Sequence, residues 1–224
     1  PDTPAFAAVL GRVLGDLAQP NEGVAVLQQA LLRHPDDLTL RLQLGSLLGR
    51  YGQTRQAMEH LGAVLEQRPD HVPALVQVAE IFYALERPDQ ALATFEQAIG
   101  HDPDHLEARC RRGVVLESLG RHDEAVAAFT EVLDRDPDHV QALARLAALV
   151  PAAEQPARLA RMQSLVDSGR LSASEQVLLG FALGKLEADR GADAQAFEHF
   201  ARANRLRADL RGGAFDLDAH RREV

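Results

Sequence analysis

The feature that most constrains this chain is a period. Pro35, Pro69, Pro103 and Pro137 stand 34 residues apart, and each is followed by aspartate: Asp36, Asp70, Asp104 and Asp138. Three of the four continue with histidine, His71, His105 and His139. Small residues keep the same register at two further places, Gly45, Ala79, Gly113 and Ala147 at one, Ala57, Ala91 and Ala125 at the other. Four residues after the second of these comes a bulky apolar side chain: Leu61, Phe95 and Phe129. A period of 20–50 residues marks a stack of supersecondary units, none of which buries its apolar face alone. Composition agrees with helices. Apolar residues make up 46% of the 224, aromatics only 4%, and there is no Trp, so the interior is expected to be Ala, Leu and Val.

The period, the two small positions and the closing Pro resemble the tetratricopeptide repeat. The fullest unit is residues 106–139, with Gly113, Leu116, Gly120, Ala125, Phe129 and Pro137. The family's signature Trp is missing, with Arg41, Leu75, Arg109 and Leu143 in its place. The resemblance implies an all-α, right-handed superhelix (an α-solenoid) of about six helix pairs. The units expected are 4–37, 38–71, 72–105, 106–139, a degenerate 140–176, and 177–210, with 211–224 as a tail or linker beginning at Gly212-Gly213. The small residues let two antiparallel helices approach closely. Gly52 and Gly120 stand where a first helix should stop, and Pro88-Asp89 is expected to punctuate the third unit similarly. Each closing Pro ends a second helix. The Asp after it is expected to cap the next helix, with Asp104…Glu107 and Asp138…Gln141 at capping-box spacing. In the fifth unit Pro151 and Pro156 predict two helices, about 140–150 and 157–168, joined by a longer loop that should be the weakest part of the stack. Ser172 and Glu175 predict a capping box at the start of the sixth unit.

Charge and motifs exclude several classes. The balance of 24 basic and 33 acidic residues argues against nucleic acid as a partner. No apolar run reaches membrane-spanning length, and neither a signal peptide nor a disulfide framework is visible, so a cytoplasmic location is expected. Arg far outnumbers the single Lys185, which with the Ala and Leu content suggests a bacterial source. No phosphate loop, isolated carboxylate pair or Ser-His-Asp arrangement is present, so no catalysis, cofactor or metal is expected. The ladder of His71, His105 and His139 reads as inter-repeat turns, since equivalent residues of stacked units lie too far apart to share one metal. Cys110 is flanked by Arg109, Arg111 and Arg112, which would lower a thiol pKa, but no partner His lies near it in register.

The family resemblance implies a protein- or peptide-binding scaffold that uses its concave groove. The stripe of first-helix residues facing that groove would be Arg12, Asp16, Ser46, Arg50, Glu80, Tyr83, Arg111, Glu117 and Lys185, with Arg111 able to grip a carboxylate. The Lys/Asn clamp of chaperone-tail binders is not matched by Ala8, Arg12, Gln43, Pro73 and Gln77. Nor is the Asn ladder of glycosyltransferase-linked superhelices matched by Val9, Gln43, Gln77, Arg111 and Arg145. Residues 178–207, with Phe181, Gly184, Lys185, Gly191, Ala196, Phe197, Asn204 and Arg207, are similar to the last repeat of bacterial tetratricopeptide sulfotransferases, and 215–224 to the linker that follows it. That likeness implies an alternative role, docking a partner or substrate beside a catalytic domain that uses the sulfate donor PAPS. The sequence names no partner and leaves self-association open.

Overall fold

The computed structural model describes residues 3–210. Among them are twelve α-helices and no strand: α1 Pro4–Asp16, α2 Pro20–Arg33, α3 Leu38–Arg50, α4 Thr54–Gln67, α5 Val72–Ala84, α6 Pro88–His101, α7 Leu106–Ser118, α8 His122–Arg135, α9 Val140–Leu149, α10 Pro156–Asp167, α11 Ala173–Asp189 and α12 Asp193–Leu210. The chain is therefore all-α and built of helix pairs, as the period implies. Two compact bodies divide between Leu119 and Gly120, inside the fourth 34-residue period. The expected tail, 211–224, lies outside the described residues.

In the N-terminal body α1 packs on α2, α3 on α4 and α5 on α6, while α1, α3 and α5 lie side by side. The core that joins them is aliphatic: Leu27, Leu40, Leu44, Leu61 and Val64 are fully buried. Glycine sets the approach of the first two pairs, and Ala79 takes the same position in the third. A Cβ on Gly11 would lie 2.5 Å from Leu27 Cγ, and one on Gly45 2.8 Å from Leu61 Cγ. In the C-terminal body α8 packs on α9, α9 on α11 and α11 on α12, around Leu143, Met162, Leu179, Leu183 and Leu186. A Cβ on Gly184 would lie 2.6 Å from the Phe200 ring, the same small-against-bulky contact. Of the residues in 178–207 singled out above, several pack on one another. The Arg207 guanidinium lies 5.0 Å from the centre of the Phe181 ring and donates to Asn204 Oδ1.

Helix starts differ from the sequence expectation. The residue after each closing Pro does not cap; the cap lies one residue further on. His71, His105 and His139 each accept a hydrogen bond at Nδ1 from the backbone N–H three residues ahead, on Ala74, Ala108 and Ala142, at 3.2, 3.1 and 3.3 Å. Asp37 fills this register position in the second unit, accepting from Leu40 N. Asp104 and Asp138 instead donate their own N–H to Asp102 and Asp136, forming the turn that leads in. Histidine wins because the turn needs one more residue than a capping box allows. The histidine ladder is thus a ladder of helix caps. Ser172 and Glu175 do form the expected box, with both reciprocal bonds present, and Ser172 holds the Glu175 carboxyl below the usual range.

Helix ends also follow a register position rather than a residue type. Gly52, Gly120 and Gly191 have φ near +75°, and Ala18 and Glu86 are also left-handed, at φ 57°. In the third unit Glu86 takes the left-handed turn. Pro88 follows as the first residue of α6, so Pro88-Asp89 does not serve as the stop. At the missing Trp position, Arg41 and Arg109 reach back to the closing prolines. Arg41 Nη2 lies 2.6 Å from Pro35 O, and Arg109 Nε lies 2.6 Å from Pro103 O. Leu75 and Leu143 are simply buried there.

The fifth unit has the two expected helices, but its loop is pinned. Ala152 is buried in the C-terminal core. Gln155, 2% exposed, donates through Nε2 to Leu146 O and Val150 O, closing the end of α9.

Candidate functional site

Because α1, α3 and α5 are neighbours, their outward residues form one surface in the N-terminal body. Its centre is a depression of about 270 Å³ lined by Arg12 and Asp16 of α1, Gln43, Ser46, Leu47 and Arg50 of α3, and Gln77 and Glu80 of α5. A second depression, about 260 Å³, shares Gln43, Ser46 and Gln77 and continues to Leu42, Pro73, Val76, His105 and Glu107. The two form a continuous trough of mixed polar and apolar lining, running across the first helices toward the start of α7.

Its charges are mostly matched within it. Arg50 Nη1 donates to Asp16 Oδ1 at 3.0 Å, with both side chains about half exposed. Arg111 Nε donates to Glu107 Oε1 at 2.6 Å and lies 3.2 Å from Glu80 Oε1. Gln77 Nε2 donates to Glu80 Oε2. Burial pushes the Glu80 carboxyl above the usual carboxylate range; the Arg111 charge opposes this and that of Glu107 adds to it. Such half-exposed pairs fix side-chain positions more than they stabilise the fold. Among the described residues Arg12 makes no hydrogen bond or ion pair.

Of the nine residues expected in the groove, Arg12, Asp16, Ser46, Arg50 and Glu80 line the central depression. Arg111 joins them through Glu80, held between two carboxylates. Tyr83 is 38% exposed on α5 and lines neither depression; it stands in the register of Gly15 and Gly49. Glu117 is half-buried on α7 and already engaged. Lys185 belongs to α11 of the C-terminal body and pairs with Asp189, one turn on, at 2.6 Å. Gln43, Gln77 and Glu107 line the trough although the sequence did not select them. Their signal was present: Gln43, Gln77 and Arg111 repeat at 34 residues. Cys110 is fully buried.

Known proteins share the repeat and the fold. Models of the tetratricopeptide repeat match residues 16–78 and 78–140, together more than half of the chain. Among solved structures, a tetratricopeptide repeat protein from Parabacteroides merdae ATCC 43184 aligns with a TM-score of 0.65 at 17% identity, over 98% of this chain and 82% of its own. A thermophilic TPR protein from Thermus thermophilus aligns with a TM-score of 0.57 at 19% identity, over 98% and 96%. MamA aligns with a TM-score of 0.52 at 15% identity, over 89% and 95%. At these identities the likeness is one of fold. No curated protein sequence matches the chain.

Proposed function

Since the chain belongs to the tetratricopeptide repeat family, we propose that it is a binding scaffold whose trough across α1, α3 and α5 takes an extended protein or peptide segment. The observation that carries this reading is the free guanidinium of Arg12 beside two side-chain amides, Gln43 and Gln77, set one repeat apart. Repeating amides suit a peptide backbone, which offers a donor and an acceptor at every residue. Arg12 supplies a charge-assisted contact for a ligand carboxylate. Arg111, committed to Glu80 and Glu107, acts in this reading as a wall of the trough rather than as its grip.

The reading is tested with peptides selected by display on the full chain. Arg12→Glu with Gln43→Ala should weaken them by roughly tenfold or more, in line with a charge-assisted hydrogen bond of about 1.5–3 kcal/mol. Replacement of His71 and His139, which line neither depression, by Asp should leave affinity unchanged. Equal binding by the trough variant would refute the reading. The likeness of residues 178–207 to the sulfotransferase repeats supports a second reading, partner docking beside a PAPS-dependent catalytic domain. The gene sequence downstream of codon 224 tests it: an encoded donor-binding phosphate loop supports it, and a stop codon refutes it.

A further inference from the structure

Along the N-terminal body each later first helix sends the same register positions back into the pair before it. In α3 these are Leu40, Leu47 and Tyr51. A Cβ placed on Gly15 or Gly23 would meet Leu47 at 2.6 and 2.9 Å, so Leu47 fills the seam between α1 and α2. Tyr51 donates its hydroxyl to Gly15 O at 2.9 Å. In α5, Ile81 repeats the contact, 3.3 Å from a Cβ placed on Gly49. Leu40, Leu47 and Ile81 are all at most 7% exposed, whereas Tyr51 stays 43% exposed within the stack, so only the first two positions are ones the stack covers. The counterparts on α1 are Phe6, Val13 and Leu17. With no pair before them among the described residues, they are 48%, 39% and 66% exposed. A stack of repeats is ordinarily closed by a unit with a polar outer face; α1 instead carries the apolar signature of an internal helix.

The opposite half of the same interface is open in part on α11–α12 among the described residues. Ala188, Ala196 and Phe197 hold the register of Gly15, Gly23 and Val24; Ala188 is exposed, while Ala196 is already buried. Val24 and its counterpart Met58 are packed into the N-terminal core, and the next counterpart, Leu92, is 6% exposed. Phe197 is 73% exposed. Among the described residues the chain therefore carries both halves of its own repeat interface, one on α1 exposing Phe6 and Val13 and one on α11–α12 exposing Phe197.

We infer that these two faces meet between copies. The α1 face of one chain packs on the α11–α12 face of a second, head to tail, continuing the interface already used between helix pairs. The occupant is a second copy because this chain itself supplies the complementary seam and knob. A head-to-tail contact leaves one face of each kind free on every oligomer, so assembly proceeds past the dimer as concentration rises. The competing arrangement pairs two α1 helices, whose Phe6, Leu10, Val13 and Leu17 have a 4-3-4 coiled-coil spacing. That contact is the same on both partners and stops at two.

The test is sedimentation velocity of the full chain over a wide concentration range, with two blocked variants. Val13→Lys removes the α1 face and Phe197→Asp the α12 face, each weakening association by at least about tenfold. Circular dichroism confirms that each is folded; Phe6→Lys, at the position whose counterpart Leu40 is fully buried, replaces Val13→Lys if α1 does not tolerate the latter. The wild type should grow beyond the dimer and each variant alone should stay a monomer. A mixture of the two variants should form a one-to-one dimer that grows no further, because one intact face of each kind remains. A monomeric wild type at every concentration overturns the inference. So does a Phe197→Asp protein that dimerises alone, which would assign the α1–α1 arrangement instead.

Discussion

Gly23→Ala sets the repeat pattern and the structure against each other. Gly23 holds the register position that is alanine at Ala57, Ala91, Ala125 and Ala196. By pattern alone the substitution restores consensus and gains about 1 kcal/mol of helix propensity. The structure predicts a loss. The new Cβ would lie 2.8 Å from Gly11 O, a backbone atom that cannot rotate away, and 2.9 Å from Leu47 Cδ2. Relief requires α1 and α2 to part, which also loosens Gly11 from Leu27 and shifts the seam that holds Leu47. Overpacking of this kind costs about 1–3 kcal/mol, so after the propensity gain the net loss is about 0–2 kcal/mol. Gly62→Ala is the control. It adds the same methyl to α4 with nothing within 4 Å, and should gain about 0.5–1 kcal/mol. Urea unfolding followed by circular dichroism compares the two. Hydrogen exchange of α1 and α2 locates the effect, since coupling in a repeat stack is to nearest neighbours. A Gly23→Ala protein as stable as Gly62→Ala would refute the close approach of α1 and α2.

Glu86→Gly should stabilise by up to ~1 kcal/mol, because Glu86 sits at φ 57° where a side chain is strained; thermal unfolding reads it, and a lower Tm would contradict it. His105→Ala should cost about 1 kcal/mol through loss of the helix cap, while His105→Asp should keep most of the stability, as Asp37 does in its own unit; equal losses would show that the cap contributes nothing. Burial and the Arg41 charge lower the His60 pKa against the opposing pull of Glu59. The folded chain therefore binds that proton less tightly than the unfolded one. The stability it contributes is complete above about pH 6.5 and falls as pH drops from there through the folded value. His60→Asn should flatten the denaturation midpoint over that acid window, and an unchanged slope would refute the assignment.

The repeat fold was legible because its determinants are local and periodic. Prolines at 34 residues stop the second helices, and the small residues that admit Leu61 and Phe200 stand where the pattern requires. The caps were misread because the capping residue directly follows the Asp in each turn, His in three and Asp37 in the first, and the general preference for Asp drew the assignment one residue early. The left-handed stop at Glu86 escaped notice because its register position was filled by a residue that avoids that conformation. The first-helix stripe gave five of the residues lining the central depression. Gln43 and Gln77 were left out because they match neither the Lys/Asn clamp nor the Asn ladder, and the stripe could not show that Arg111 is held by Glu80 and Glu107. The pinned loop at Gln155 was illegible because its partners are backbone carbonyls.

Site-specific photocrosslinking tests the central claim that ligands bind across the first helices. A crosslinking residue replaces Ser46, in the trough, or Glu59, exposed on α4, and each protein is irradiated with a display-selected peptide. Capture from position 46 and not from position 59 is the predicted result. Capture from position 59 alone would place the binding face on the second helices and contradict the account.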